Sequence, residues 1–292
     1  MGKPVVGIGK YRPEDFRAVR AFARKQPNFG YVREIIRWHT KSRLPGGCYV
    51  WREAGTVVAF CGVQYLNSDD AWLYGMRVDD RCKGQGVATR FTRALFRIIR
   101  RSGRTWAGLN TLDHNRPGPV FRIAEKLGMK LEAIHATDAY WRLTIRSGAA
   151  RRRKLRDIYR LYRARGEQTL FQDRRGWVWY RLLSGRRLRV NQGGYCLLGT
   201  PVHFSRTRFK LRSGRIVTST TANLLDRPRD FQPMMRCLLA RGVGYRSVTI
   251  NYPAEWKTQM RRAARALIPN LKPGRNCWPT VWRIYGKYLA KK

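Results

Sequence analysis

Residues 71–103, AWLYGMRVDDRCKGQGVATRFTRALFRIIRRSG, decide the fold. The apolar run that ends at Val78 predicts a buried strand, and the acidic pair Asp79-Asp80 closes it. Gly84 and Gly86 come next, and apolar residues then recur at helical spacing, at Val87, Phe91, Leu95, Ile98 and Ile99. The order of strand, glycine loop and helix predicts an anion site, because the free N–H groups of a first helical turn point into such a loop.

Arg81, Gly84 and Gly86 form a spaced pattern between the strand and the amphipathic helix. This pattern resembles the acyl-CoA-binding loop of the GNAT acetyltransferase superfamily. A dinucleotide-binding loop needs three glycines with an acidic residue about 20 positions further on, and a P-loop needs Gly-Lys-Ser or Gly-Lys-Thr. The loop has neither pattern, so the acyl-CoA interpretation is favoured.

The order of predicted elements extends the resemblance over about residues 4–145. Patterning predicts strands at 4–9, 48–53, 56–66, 71–78 and 104–111, and helices from Pro13, at 31–40, after Gly86 and at 120–127. This is the order of the GNAT fold. The expected fold class is therefore α/β (α+β), with a mixed, mostly antiparallel sheet flanked by helices.

The resemblance implies that the chain uses acetyl-CoA. The strand at 73–78 would align the thioester and polarise its carbonyl through backbone N–H groups. An amine would then attack directly, without a covalent enzyme intermediate. The residues that the resemblance assigns to cofactor binding are Met76, Val78, Arg81, Lys83, Gly84, Gln85, Gly86, Val87, Ala88 and Asn115.

The sequence departs from the family at the general acid. Many members have a tyrosine four residues before the glycine that corresponds to Gly128, and here that position is Ala124. The candidate catalytic residues are Tyr74, which could lie on the open face of the strand, and Asp113 and His114, which follow the next strand. Structural roles compete with each candidate, and Asp70, Asp79 and Asp80 are interpreted as turn or cap residues.

The charge is the second strong signal. Lys and Arg number 61 and Asp and Glu 18, which gives a formal net charge of +43. Residues 1–148 hold 27 basic and 12 acidic side chains, whereas residues 149–292 hold 34 and 6. A polyanion would neutralise this self-repulsion, so RNA or the ribosome is the expected partner. A membrane-surface role is less favoured, because the sequence has neither an amphipathic anchor nor a lipidation motif.

Two domains are expected, a GNAT acetyltransferase domain at 1–148 and a strongly basic domain at 149–292. The aromatic and β-branched runs of the second half predict an antiparallel sheet in which basic and apolar residues alternate. The alternation has two interpretations, an RNA-binding face and an ordinary half-exposed sheet. The predicted nucleic-acid-binding residues are Arg151, Arg152, Arg153, Lys154, Arg206, Arg208, Lys210 and Arg212.

The second half also resembles, more weakly, a degenerate GNAT copy over about residues 150–292. The order helix, strand and helix recurs at 234–242, 247–252 and 259–268. The position that corresponds to Gly86 is Arg227, in a loop without glycine. Such a copy would bind rather than catalyse. The tail around Trp282 predicts a short amphipathic helix.

Other functional classes are excluded or disfavoured by composition. The six cysteines and four histidines are scattered, so no metal site is expected and the thiols are expected to be reduced. No signal peptide or spanning segment is evident, which favours a cytoplasmic protein.

The sequence therefore predicts an acetyl-CoA-dependent N-acetyltransferase that acts on or near RNA or a ribonucleoprotein. The alternative is a non-catalytic RNA- or ribosome-binding protein on a GNAT scaffold. Neither the acceptor amine nor the oligomeric state follows from the sequence.

Overall fold

The structure is a computed structural model, and it describes residues 6–26, 29–41, 44–113, 118–141, 152–154, 170–172, 179–181, 194–197, 200–210, 216–240, 247–268, 271 and 277–289. The chain forms two compact units. Unit 1 contains residues 1–110, 116–131 and 285–292, and unit 2 contains residues 111–115 and 132–284. The expected boundary at 148/149 lies outside the described residues. Each unit draws on more than one stretch of the chain.

Unit 1 follows the predicted order of elements. Its strands are β1 (Gly7–Lys10), β2 (Gly46–Glu53), β3 (Thr56–Tyr65), β4 (Asp70–Val78) and β5 (Trp106–Leu112, which ends in unit 2). Its helices are α1 (Phe16–Ala23, after a 3₁₀ turn at Pro13–Asp15), α2 (Phe29–Thr40), α3 (Val87–Arg101) and α4 (Pro119–Lys126). Strands β1 to β4 are antiparallel neighbours in chain order, and β5 runs parallel to β4.

The sheet of unit 1 is covered on both faces. Ala59, Cys61 and Val63 of β3 pack in one apolar cluster with Phe91 and Leu95 of α3. Gly62 instead lies under Ile35 of α2, where an added Cβ would meet the Ile35 side chain at 2.7 Å. Because successive residues of a strand point to opposite faces, α2 and α3 cover opposite faces of the sheet.

Strand β4 carries a bulge that depends on glycine. The register with β3 shifts between Phe60 and Gly62, so that Gly75 and Met76 together oppose Cys61. Gly75 has φ 65°, and a Cβ there would lie 2.1 Å from Cδ1 of Ile35. Any side chain at this position would be strained and would collide with α2. The bulge therefore fixes the direction of the last residues of β4.

Unit 2 contains a run of mixed strand pairs. Its strand order is β6 (Lys130–Trp141), β13 (Ser247–Pro253), β12 (Ile216–Leu224), β11 (Thr200–Lys210), β10 (Gly194–Leu197) and β7 (Arg152–Lys154). Strands β8 (Leu170–Gln172) and β9 (Trp179–Arg181) form a separate ladder. The helices are α5 (Phe231–Ala240) and α6 (Lys257–Leu267, after a 3₁₀ turn at Ala254–Trp256). Strands β12 and β13 are parallel, and the other described pairs are antiparallel.

An ion pair lies within the core of unit 2. Asp138 of β6 is fully buried and accepts hydrogen bonds from Tyr252 and from the guanidinium of Arg261, whose Nη2 lies 2.9 Å away. Tyr140 also reaches this carboxylate, at 3.4 Å. A buried charge is tolerated only when it is paired and hydrogen-bonded, so this cluster joins β6, β13 and α6 as one structure.

A row of buried polar side chains crosses four strands of the same unit. His203, Asn223, Asn251 and Thr137 are register partners on β11, β12, β13 and β6. Thr137 donates to Asn251 at 2.6 Å, and Asn251 donates to Asn223 at 2.9 Å. A one-residue slip of any strand would leave these groups unsatisfied, so the row specifies the register.

The C-terminal segment corrects one prediction. Residues 277–288 form strand β14 (Cys277–Tyr288) and not the predicted amphipathic helix. Thr280, Val281 and Ile284 are β-branched, and the tryptophans and tyrosines among them also favour extended structure. Within unit 1 the end of this strand is bound by two contacts, from Leu289 N to Thr105 O at 2.7 Å and from Lys287 to the Leu127 carbonyl. The sequence pattern of this segment fits both a helix and a strand, and the tertiary contacts select the strand.

Candidate active site

The candidate site begins where two parallel strands separate. Strands β4 and β5 pair only from Asp70 to Trp72, opposite Trp106 to Gly108. The buried indoles of Trp72 and Trp106 mark the point of divergence, with ring centroids 6.1 Å apart. A Cβ on Gly108 would lie within 2.6 Å of both indoles, so only glycine fits there. Beyond this point the residues of β4 from Leu73 to Val78 have no β5 partner among the described pairs.

The glycine loop lies directly after the end of β4, which pairs with β3 but has no β5 partner among the described pairs. Gly84 and Gly86 have φ 80° and 74°, and Gly86 is the N-cap of α3. No side chain caps this helix, and its first turn holds no acidic residue. A Cβ on Gly84 would meet nothing within 4 Å. Open space, positive backbone dipoles and missing caps are the features that a phosphate group requires.

The loop side chains add positive charge around this space. Arg81 and Lys83 are largely exposed, and they pair with Asp79 at 2.7 Å and Asp80 at 2.5 Å. Gln85 donates to the carbonyl of Arg81 at 2.9 Å and holds the turn. The hydrogen bond from Arg81 lowers the pKa of Asp79, so this carboxylate is a poor proton acceptor. The structure thus places Asp79 in a loop-stabilising role.

The predicted cofactor residues occupy consecutive positions along this edge. Met76 and Val78 pack against the cluster under α3, and the Thr92 hydroxyl contacts the Met76 sulfur at 3.8 Å. Val87 is buried at the start of α3, and Ala88 follows it in the first turn. These residues and the loop at 81–86 together fit a pyrophosphate at the helix terminus and an extended arm along β4. Asn115 lies outside the described residues.

Tyr74 is paired with a residue that the sequence analysis missed. Its phenol oxygen lies 2.6 Å from Nε2 of His39 on α2. Nδ1 of His39 lies 3.3 Å from the carbonyl oxygen of Leu44, which only accepts hydrogen bonds. The proton is therefore assigned to Nδ1, and Nε2 accepts from the Tyr74 hydroxyl. The pair forms a potential proton path from the β4 strand to the imidazole.

Aromatic side chains of α2 cover the Tyr74 ring, which is only 5% exposed, so the expectation that it lies on an open face of the strand is wrong. Trp38 stacks on it at 6.4 Å, and Tyr31 lies at 6.4 Å on another side. Tyr31, Ile35, Trp38 and His39 recur at the i, i+4, i+7, i+8 spacing of one helix face. That spacing is the signal that could have placed His39 beside β4.

The structure describes one of the other two predicted catalytic residues, Asp113. Asp113 belongs to unit 2, where its carboxylate pairs with Arg283 at 2.5 Å. His114 lies outside the described residues. Ala124 is fully buried in the cluster under α3, so its position supplies no acid. Asp70 is also fully buried, and its backbone N–H donates to the Asn67 side chain in the turn before β4.

Unit 2 has the same order of strand, loop, helix and parallel strand, with different chemistry in the loop. Strands β12 and β13 stay paired up to Asn223 and Asn251, one residue before β12 ends. The N–H of Gln232 at the start of α5 is bound by the carboxylate of Asp230 at 3.0 Å. A built-in carboxylate already occupies this helix terminus, and the described strands leave no gap beside it.

The predicted nucleic-acid-binding residues are only partly described. Arg152, Arg153 and Lys154 lie on β7, in register with β10. Arg206, Arg208 and Lys210 occupy alternate positions of β11, in register with Thr220, Thr218 and Ile216. Arg151 and Arg212 lie outside the described residues. The RNA-binding role of all eight residues stays a prediction.

Two further properties concern the described residues alone. None of their helices combines the length and the apolarity that crossing a bilayer requires. They include no cluster of three or more His, Cys, Asp or Glu side chains suited to hold a metal ion.

The comparisons with known proteins agree with this geometry. Residues 11–118 match the model of the acetyltransferase (GNAT) family. This match agrees with the resemblance that the loop pattern indicated. No curated protein matches the chain significantly.

Solved structures extend the likeness of fold beyond that match. A Thermoplasma acidophilum protein classed as an acetyltransferase aligns over 97% of this chain and 99% of its own, with a TM-score of 0.52 and 14% identity. A GCN5-related N-acetyltransferase from Anabaena variabilis aligns over 98% and 73%, with a TM-score of 0.48 and 11% identity. The ribosomal-protein-S18-alanine N-acetyltransferase from Escherichia coli aligns over 44% and 81%, with a TM-score of 0.38 and 17% identity. The predicted mixed α/β fold is confirmed, whereas a second GNAT copy stays a prediction.

Proposed function

We propose that the protein is an acetyl-CoA-dependent N-acetyltransferase that acts on or near RNA or a ribonucleoprotein. One observation carries the proposal. The N-terminus of α3 has no side-chain cap, it follows open glycine turns, and it lies next to the end of β4 that has no β5 partner among the described pairs. The GNAT family generally uses acetyl-CoA as its cosubstrate. Acetyl-CoA, when bound, supplies an acetyl group activated as a thioester.

In this proposal the N–H groups of Val87 and Ala88 and the cations of Arg81 and Lys83 bind the pyrophosphate. The backbone of β4 beyond Trp72 orients the extended arm, because its groups on that side have no β5 partner among the described pairs. The bulge at Gly75 sets the direction of the neighbouring N–H groups. Apart from the two cations, these roles need only fixed backbone groups.

The pair of Tyr74 and His39 manages the proton. The attacking amine must be neutral and must lose a further proton as the amide forms. Tyr74 accepts that proton on its oxygen while its own proton passes to Nε2 of His39, which becomes an imidazolium. His39 is only partly buried, so the proton returns to solvent from there. This path supplies a base only, and the proton for the leaving thiolate, which the position of Ala124 does not provide, would come from solvent.

The RNA context rests on charge. A net charge of +43 repels polyamines and basic proteins as acceptors, and it attracts polyanions. An amine on RNA, on aminoacylated RNA or within a ribonucleoprotein would therefore be concentrated near the site. The alternative, a non-catalytic RNA-binding protein on the same fold, is favoured by one observation, the burial of Ala124 where many relatives have an acid.

The test is transfer of label from radioactive acetyl-CoA into a host-cell lysate, which is then separated into RNA, ribonucleoprotein particles, free protein and small molecules. Gly84→Asp places an anion in the loop and is expected to abolish transfer. Gly55→Asp is the matched control, because Gly55 also has a φ of 80° and open space but lies in the β2–β3 turn. Label in RNA or particles that is lost only with Gly84→Asp supports the enzyme. Absence of transfer with retained particle binding supports the alternative.

A further inference from the structure

One helix of unit 1 has an exposed face that is almost wholly basic. Arg17, Arg20, Arg24 and Lys25 are all exposed, on α1 and in the turn that follows it, and we name these four residues the α1 basic surface. They line a shallow depression of about 510 Å³ together with Ala21. The spacing of i, i+3 and i+7 puts the three arginines along one side of the helix, over about 10 Å of its axis.

The cations of this surface are not consumed by internal ion pairs. Within the described part of the chain, Arg17, Arg20 and Arg24 form no salt bridge. The neighbouring helix α2 differs, because Arg37 pairs there with Glu34. Helix α1 itself has no acidic residue. Three adjacent arginines without a salt bridge among the described residues repel one another, so an external anion would stabilise them.

The surface lies beside the start of the cofactor loop. Gln26, which follows Lys25, donates from Nε2 to the carbonyl oxygen of Val78 at 2.7 Å. Lys25 is also close enough to act electrostatically on Asp79. A ligand bound along α1 would therefore end next to the segment where β4 meets the glycine loop.

The chemistry of the surface selects among polyanions. Arginine presents a planar fork that binds phosphate oxygens in pairs, and three of the four cations are arginines. A membrane-binding helix would expose large apolar side chains beside its cations, and α1 exposes none. An acidic protein partner would normally find an aromatic or aliphatic anchor, which the exposed residues Arg17, Arg20, Ala21, Arg24 and Lys25 do not offer.

We propose that the α1 basic surface is a docking surface for the phosphate backbone of RNA, and that it delivers the RNA acceptor to the cofactor loop. The proposal rests on the proposed function for the identity of the polyanion as RNA. Without exposed aromatic side chains to stack on bases, the surface reads no sequence and contributes salt-dependent affinity. It lies in the GNAT unit, apart from the basic residues of the second half that the sequence singled out.

The experiment measures the affinity of the full chain for a fluorescently labelled oligouridylate of about 20 nucleotides, at salt concentrations from about 50 to 200 mM. The variant is Arg17→Gln/Arg20→Gln/Arg24→Gln, since glutamine keeps helix propensity. The matched control is Arg93→Gln/Arg97→Gln/Arg101→Gln, which removes the same charge from exposed positions of α3. Circular dichroism and thermal melting establish that both variants fold.

The α1 variant is expected to lose about tenfold or more in affinity and to flatten the salt slope by about 2, because each phosphate contact to a single strand contributes about 0.7. The α3 control should retain most of its affinity and slope. Equal losses in the two variants, or no loss in either, would overturn the proposal. Displacement of the RNA by excess acetyl-CoA would also overturn it, since the surface would then bind the phosphates of the cofactor.

The docking proposal and the proposed function can fail independently in these experiments. Loss of RNA affinity in the α1 variant, with wild-type protein that transfers no acetyl group, supports the docking surface and sinks the enzyme. Intact RNA affinity in the α1 variant, with normal transfer, sinks the docking surface and keeps the enzyme.

Discussion

Nε2 of His39 lies 2.6 Å from the phenol oxygen of Tyr74, and this contact joins α2 to the strand that precedes the glycine loop. The carbonyl of Leu44 orients the other imidazole nitrogen, so the accepting nitrogen faces the hydroxyl. Positioned bases of this kind contribute about 10²- to 10⁴-fold to a rate.

Tyr74→Phe and His39→Gln should therefore each lower the rate of acetyl transfer by about a hundredfold or more. Binding of acetyl-CoA should change little, because neither side chain belongs to the loop. The measurement is single-turnover transfer of labelled acetyl groups, with binding followed by thermal shift. Tyr11→Phe serves as control, since Tyr11 lies against Phe60 and away from the pair. Unchanged rates in both variants would remove the proposed proton path.

Acetyl-CoA should bind with a stoichiometry of one per chain. The terminus of α3 has no side-chain cap, whereas that of α5 is already bound by Asp230. Strands β12 and β13 also remain paired where β4 and β5 separate. Isothermal titration measures the number directly. A stoichiometry of two, or binding that survives Gly84→Asp at full strength, would contradict the assignment of the site to unit 1.

Arg261→Met should destabilise the protein by about 3–5 kcal/mol, because it leaves the carboxylate of Asp138 buried without its cation. Urea unfolding followed by circular dichroism measures the loss. Arg265→Met removes an exposed cation from the same helix and should cost less than about 0.5 kcal/mol. The double change Asp138→Asn/Arg261→Met should recover part of the stability, since it removes the uncompensated charge. If the loss in the double variant equalled the sum of the losses in Asp138→Asn alone and Arg261→Met alone, the two residues would not be coupled.

Stability should fall as the pH drops from about 6.5 to 4. Burial lowers the pKa of His135 and of His203 from 6.5 to about 4. The folded state therefore favours the neutral imidazoles, and in this window the unfolded chain binds more protons. Their contribution is complete above pH 6.5 and declines as the pH falls, by as much as about 3 kcal/mol for each residue near pH 4.

Urea unfolding at several pH values measures this slope. The double change His135→Gln/His203→Gln should flatten it between pH 6.5 and 4, although other groups continue to titrate at lower pH. If the free energy of unfolding of the double variant changed with pH as it does in the wild type, other residues would cause the loss of stability between pH 6.5 and 4.

The sequence predicted the elements of residues 7–127 because periodicity and glycine positions agree there. The apolar spacing of Val87, Phe91 and Leu95 and the turn at Gly55 both correspond to observed elements. His39 was missed because its role depends on the packing of α2 over β4, a contact between residues 35 positions apart. The tail was predicted as a helix because aromatic residues fit both periods, and only contacts with distant residues such as Thr105 select the strand.

Residues 285–292 belong to unit 1, and this affects how unit 1 folds during synthesis. Unit 1 takes Tyr285–Lys292 from the far end of the chain, and Leu289 is buried in its main cluster. A ribosome delivers the amino-terminal elements first, at about 5–20 residues per second, and most domains fold as they emerge. Here unit 1 is completed only after the synthesis of unit 2, about ten seconds or more at those rates. During that interval its partly built sheet would present unpaired edges, which nascent-chain chaperones could cover.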